Sequence, residues 1–373
     1  MKTLLLLPLC LALVTCKAQN KEIPTDNRQV SELDRLVQKE AAAYMKDPAR
    51  VGLSIGIFKD GKSYFYNYGT SELGKSELPT SKSVYEIASI TKTFTGTILA
   101  HALVDQKVKL EDDIRKYLEG NYPNLEFEKH PVTIGNLAKH SSGLPQFLPD
   151  QSETFKKPMD SVAFLLADFY KNYSKKDFYR DLHEAKIGFA PGTDFKYSNV
   201  GTQIAGDILE KVYTKSYEKL LSEYITKPLK MNQTIVGTNS SQLLTGYNEK
   251  GKIMPRNITT IMAPAGGIYS TTGDLVKYIQ YHLNKNDQYV QASHTPVVKN
   301  ESDETGLFWR IHKNEDGSQT IWHTGGTFGF SSTLHIYPSK NMGVIVLSNE
   351  SDMSSQGKLQ DIAENIFKNS SKN

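Results

Sequence analysis

Ile87-Ala88-Ser89-Ile90-Thr91-Lys92 is the stretch on which the reading of this chain turns. An extended approach changes here to a helix-like pattern carried on by Phe94, Ile98 and Leu103. Positions i and i+3 share a helix face. The Lys92 amine therefore reaches the Ser89 hydroxyl, and a neutral amine there is a base for a serine nucleophile. Free lysine has a pKa near 10.4, so holding it largely neutral at pH 7 costs roughly 4 kcal/mol, which only a prepared, buried site supplies. The Ser89 backbone N–H falls at a helix start, where donors are free.

Working outward, the runs Val51 to Phe58 and Lys62 to Tyr68 flank Asp60-Gly61 and predict a β-hairpin. Ahead of it, Val30, Leu33, Leu36, Val37 and Tyr44 predict an amphipathic helix over Gln29 to Met45. Residues 91–260 read as helix-rich, and Asp274 to Leu283 as a further helix. Thr320 to His323, Ser331 to Tyr337 and Met342 to Ser348 read as three antiparallel strands, closed by a helix with Leu359, Ile362 and Ile366 on one face. Strands come from both chain ends and helices from the middle. The expected fold is α/β in the α+β sense: an antiparallel sheet flanked by terminal helices, with a mostly α-helical lobe inserted. One catalytic domain spans 28–370, its α/β lobe built from about 28–90 and 261–370 and its helical lobe from about 91–260.

The first 18 residues read as a secretory leader: Lys2, then about eleven largely apolar residues from Leu4 to Val14, well short of the roughly 20 a membrane span needs. Its end has two readings. Leu13-Val14-Thr15-Cys16 is similar to a bacterial lipobox, which would lipidate Cys16; alternatively the cut follows Ala18. Both predict an exported protein, periplasmic or lipid-anchored to a bacterial membrane, with residues 19–27 as a tether.

The chain's 44 basic and 41 acidic residues nearly balance, and no stretch interleaves basic and aromatic residues, which argues against a nucleic-acid partner. Its two cysteines are Cys10 and Cys16, so a multi-cysteine metal site, a disulfide framework and a catalytic thiol are not expected in the processed chain. No metal and no cofactor is expected. His101, His130, His140, His183, His282, His294, His312 and His335 show no metal-ligand spacing and read as surface or packing residues.

Other serine motifs compete with Ser89. Gly52-Leu53-Ser54-Ile55-Gly56 fits the nucleophile elbow of α/β-hydrolases, but Ser54 sits inside a β-rich run that continues into a hairpin, without the strand-turn-helix that motif requires. It reads as small residues in a closely packed strand. Ser-x-x-Lys recurs at Ser216 with Lys219 and Ser355 with Lys358. Tyr-x-Asn occurs at Tyr122 with Asn124, Tyr170 with Asn172 and Tyr197 with Asn199, whereas His323-Thr324-Gly325 is the single basic-Thr-Gly triplet.

Penicillin-interacting serine enzymes carry Ser-x-x-Lys first, then Tyr-x-Asn or Ser-x-Asn, then Lys-Thr-Gly or His-Thr-Gly. Ser89 alone of the three serines fits that order. Together with His140-Ser141-Ser142-Gly143-Leu144-Pro145, Pro191-Gly192-Thr193 and Ser270-Thr271-Thr272-Gly273-Asp274-Leu275, these motifs make the chain resemble the serine β-lactamase and penicillin-binding-protein-like family. The resemblance is to the branch with class C β-lactamases, D-alanyl-D-alanine carboxypeptidases, D-amino-acid peptidases and β-lactamase-fold esterases, and it implies a β-lactamase/transpeptidase-like fold.

It further implies a Ser89 acyl-enzyme formed from a small-molecule or peptide acyl substrate. Lys92 and Tyr197 would share the proton work, with either as base. Asn199, His323, Thr324, Gly325 and Gly326 would meet the substrate, and the oxyanion would rest on the N–H groups of Ser89 and Gly326. Histidine in place of lysine at 323 is expected to be partly charged near neutrality, which weakens recognition of a substrate carboxylate. Acyl transfer and a catalytically weak cell-wall-binding or signalling lipoprotein of the same fold are the alternatives.

Overall fold

The computed structural model describes residues 23–237, 243–256, 261–296 and 303–370. The leader reading, with Cys16, lies outside them. Strands β1 (Gly52–Lys59) and β2 (Lys62–Gly69) form the expected hairpin. Asp60 and Gly61 turn it with φ of 52° and 75°, the left-handed pair that Asp-Gly adopts at little cost. The C-terminal segment contributes β3 (Asp303–Thr305), β4 (Arg310–Lys313), β5 (Gln319–Gly326), β6 (Ser331–Tyr337) and β7 (Met342–Ser348). All join one antiparallel sheet of seven strands in the order β2-β1-β7-β6-β5-β4-β3, so the N-terminal hairpin docks beside the last strand, with Ile55 opposite Val346. Strands β3 and β4 were not anticipated. They are short and largely polar, β3 at the sheet edge and β4 between it and β5, and carry no apolar run to announce them.

The helices used below are α1 (Glu32–Met45), α2 (Thr91–Val104), α3 (Met159–Lys171), α4 (Asn199–Tyr213), α5 (Thr272–His282) and α6 (Ser355–Ser370). Helix α1 starts later than its apolar spacing suggests, because Ser31 and Asp34 cap each other's backbone N–H groups, leaving Val30 outside and exposed. The tether reading also needs correction from Ile23 onward. Thr25 bridges to Tyr68, and Asn27 Nδ2 donates to the Tyr68 hydroxyl at 2.8 Å.

Both sheet faces are covered, which is why β1, β6 and β7 are buried along nearly their whole length. On one face Leu53, Ile55, Ile57, Val344 and Val346 pack with Val37 and Ala41 of α1 and Leu359, Ile362 and Ile366 of α6. Helix α5 covers the other and comes close enough to demand glycine. A Cβ at Gly56 would stand 2.8 Å from Val276 Cγ2, and one at Gly343 would stand 2.3 Å from Ile279 Cγ2. The strand reading of Gly52 to Gly56 is the observed one: Ser54 Oγ is buried and donates to Asn67 Oδ1 at 2.7 Å.

Two features place the site. Helix α2 is enclosed over most of its length, as a helix of small and apolar residues should be, and its interior hydroxyls are satisfied, with Thr95 donating to Pro264 O at 2.7 Å. It fixes Lys92 against the sheet. Behind the cleft, buried Arg50 pairs with Glu350 at 2.7 Å and Asp352 at 2.9 Å, tying the end of α1 to the loop before α6.

Candidate active site

Ser89 sits where the extended pair Tyr85–Glu86 gives way to the turn Ala88–Ile90 and then α2. The chain reverses sharply at Ala88, whose φ of +48° is left-handed and costs a non-glycine residue about 1 kcal/mol. Ser332 Oγ holds that turn by donating to Ile87 O at 3.0 Å. Gly325 presses against it from β5. A Cβ there would stand 2.3 Å from Ile87 O and 3.0 Å from Ser89 N, so glycine is what lets β5 approach Ser89.

One turn along α2, the fully buried Lys92 donates to Ala265 O at 2.6 Å, and its Nζ lies 3.2 Å from Ser89 Oγ. Burial lowers its pKa to about 7, since the charged form loses its water and no carboxylate compensates. Tyr197 reaches the same point from the loop before α4, where the Ser198 side chain caps Gly201 N. Its phenol interacts with the Ser89 hydroxyl, and its ring centroid lies 4.8 Å from Lys92 Nζ. Burial pushes the phenol up to about 12.

His323 corrects an expectation. It is buried, and burial, reinforced by Lys92 and Arg310, holds its pKa down to about 3 rather than near neutrality. Nδ1 lies 2.6 Å from Thr324 O, which can only accept, so the proton of the neutral ring is on Nδ1. His140 packs beside the site. Its ring centroid lies 4.5 Å from that of Tyr197, Ser198 N donates to its Nδ1 at 3.3 Å, and its Nε2 has no hydrogen-bond partner among the described residues. Burial keeps it neutral, with Lys92 and His323 acting in the same direction. The signal was present in His140-Ser141-Ser142-Gly143, although spacing alone did not separate this histidine from the others. Ala265, whose carbonyl holds Lys92, carried no signal of its own.

The competing motifs are structurally occupied and, apart from Tyr170, do not line the Ser89 cavity. Ser216 caps a short helix, Ser355 accepts from Arg50, Tyr122 stacks on His183, and Asn124 donates to the carbonyls of Leu182 and Ala185. Tyr170, near the end of α3, lines the far part of the Ser89 cavity with its hydroxyl donating to Leu148 O at 3.2 Å, and Asn172 ends that helix.

Ser89, Asn199 and Gly326 open on a cavity of about 890 Å³, whereas the Lys92, Tyr197 and His323 side chains stand behind its wall. The arrangement is a partly exposed hydroxyl backed by a buried amine, a phenol and two neutral imidazoles.

The family pattern described as Beta-lactamase matches residues 37–365. The chain belongs to the beta-lactamase family. As a beta-lactamase-family protein it is a serine hydrolase by descent, and its relatives are consistent in this. It is 26% identical over 369 residues to a beta-lactamase of Pseudomonas fluorescens, covering 87% of this chain and 94% of that one. It is 28% identical over 320 residues to the D-alanyl-D-alanine-carboxypeptidase/endopeptidase AmpH of Escherichia coli K12, covering 81% and 80%. Among solved structures, a class C beta-lactamase superposes with a TM-score of 0.77 at 24% identity, over 92% of this chain and 97% of the other, a likeness of fold. A beta-lactamase/D-alanine carboxypeptidase from Yersinia pestis gives 0.75 at 25% identity, over 90% and 97%.

Proposed function

We propose that this beta-lactamase-family protein is an exported enzyme that cleaves ester and amide bonds through an acyl group carried on Ser89. The observation that supports this most directly is the buried Lys92 amine, 3.2 Å from Ser89 Oγ and with a pKa brought down to about 7. At pH 7 such an amine is about half neutral, whereas a phenol at about 12 is ionised in roughly one molecule in 10⁵. Lys92 is therefore the base for acylation, and Tyr197 keeps its proton.

In the first step Lys92 takes the Ser89 proton and Oγ bonds to the substrate carbonyl carbon. The carbonyl oxygen becomes an oxyanion between the N–H groups of Ser89 and Gly326. Collapse expels the alcohol or amine, which takes a proton passed from Lys92 through Tyr197. Water then attacks the acyl-enzyme and gives a proton to Lys92, which returns it to Ser89 Oγ as the C–O bond to serine breaks, releasing the acid and restoring both groups. His323, neutral and buried, brings no charge to a substrate carboxylate, which favours esters and uncharged amides. The apolar run Leu4 to Val14 supports export.

Labelling with a fluorophosphonate and a fluorescent penicillin tests the assignment. Label is expected on the wild type and on Ser54→Ala and absent from Ser89→Ala; label that survives Ser89→Ala would remove Ser89 from this role.

A further inference from the structure

Resting on that reading, we infer that the enzyme's substrates carry a large apolar acyl group, an aliphatic chain of roughly six to ten carbons or an aryl equivalent, seated against α3. The cavity holding Ser89 and Gly326 continues away from them along a wall formed by Phe147, Phe155 and the α3 residues Met159, Ala163, Leu166 and Ala167. Large apolar side chains alternate there with two alanines one helical turn apart, and the alanines are where that wall leaves room. Phe147 and Phe155 lie 5.7 Å apart between ring centroids, their planes tilted by 31°, giving the wall an aromatic end.

Two of these groups stay open to solvent, Phe155 at 40% and Met159 at 51%, although α3 buries Val162 and Ala163 beside them. Apolar surface left open along a reaction cavity is the side of a ligand site that a ligand covers. Two of the acids at the cavity are neutralised by bases. Asp160 pairs with Lys250 at 2.8 Å and Asp352 with Arg50 at 2.9 Å. Carbonyl chemistry occurs at one end, so the part of the substrate reaching the apolar wall is joined to the reacting carbonyl. His323 is neutral, and Lys171, Glu249 and Arg256 also line the cavity, so the apolar wall is one side of a site that has charged groups elsewhere on its rim.

Each methylene removed from water strengthens transition-state binding by up to about fourfold, so chain length is the readout. The test compares kcat/KM for 4-nitrophenyl acetate, butyrate and octanoate, each rate divided by the fluorophosphonate-titrated active sites so that misfolded protein is not counted. For the wild type, octanoate is expected to exceed acetate by at least about tenfold. Ala167→Phe, which fills the wall, and Met159→Asp, which charges its exposed end, are each expected to lower that ratio severalfold. A wild type that turns over acetate as fast as octanoate, or a ratio that neither variant moves, overturns the inference and leaves the hydrolase reading intact. Absence of both label and turnover on every ester removes the hydrolase reading and the inference with it.

Discussion

Lys92 Nζ is held more closely by Ala265 O, at 2.6 Å, than by Ser89 Oγ, at 3.2 Å. A neutral amine has two donor hydrogens and one lone pair. Giving a hydrogen to the Ala265 carbonyl leaves the lone pair free to face the serine. The amine is thus both desolvated and aimed.

The first consequence is a pH profile. The base works only when neutral, so kcat/KM for an uncharged ester should rise about tenfold per pH unit on the acid side and level off above about 7, the pKa of Lys92. Tyr197 lies too high, and His323 too low, to add an inflection between pH 5 and 9. His323→Asn should keep that single inflection within about one unit of its wild-type position. An inflection that disappears in this variant would give the titration to the histidine instead.

Replacing the base separates chemistry from stability. Lys92→Met should lower acylation by about 10²- to 10⁴-fold. The unfolded chain keeps the lysine proton up to about 10.4, and the native state releases it near 7. Between those values the unfolded state binds more protons, so wild-type stability rises with pH there and is still reduced at pH 7.5. Met removes that cost, and the variant should be about 1–3 kcal/mol more stable at pH 7.5 in denaturant titrations. A less stable variant would show that the Ala265 hydrogen bond outweighs desolvation.

The two glycines of β5 should differ. A methyl at Gly325 meets backbone, 2.3 Å from Ile87 O, and the Ser89 turn must move. Gly325→Ala is expected to cost about 1–3 kcal/mol in stability and at least about 10² in acylation. At Gly326 the nearest atom is Gln356 Nε2, at 2.5 Å, the end of a side chain that can swing aside, and the N–H is retained. Gly326→Ala should therefore lose far less, and equal losses in both variants would contradict this account of the turn.

Arg50 carries charge in the interior with Glu350 and Asp352. Removing one partner of such a group strands the others, so Arg50→Met should destabilise by about 3–5 kcal/mol. Ser351, Asp352 and Gln356 line the cavity, so the folded fraction should also show a raised KM with a smaller change in kcat. A stability loss below about 1 kcal/mol would mean that the network relaxes into water.

Much of this was legible along the chain because it is written in local patterns. Asp60-Gly61 between two β-rich runs specifies a hairpin, and the apolar runs of β6 and β7 announce strands covered on both faces. Ser89 and Lys92 are brought together by helical spacing alone. Strands β3 and β4 were invisible because they are only three and four residues long and mostly polar, with Ile311 as the single buried apolar side chain of β4.

Residue type and spacing predict the fold class, and with the motif order of the resembled family they single out Ser89 and Lys92 as the proposed nucleophile and base, since helix periodicity, strand alternation and turn chemistry act over a few residues. Folding settles what depends on dielectric and on distant neighbours. It lowers the pKa of Lys92 by burial and ties its amine to Ala265, keeps His323 and His140 neutral by removing their water, brings Gly325 against Ser89, and opens the apolar wall of α3 beside them. A pKa or a cavity is a property of all the atoms within several ångströms, and here those atoms come from both ends of the chain and its middle.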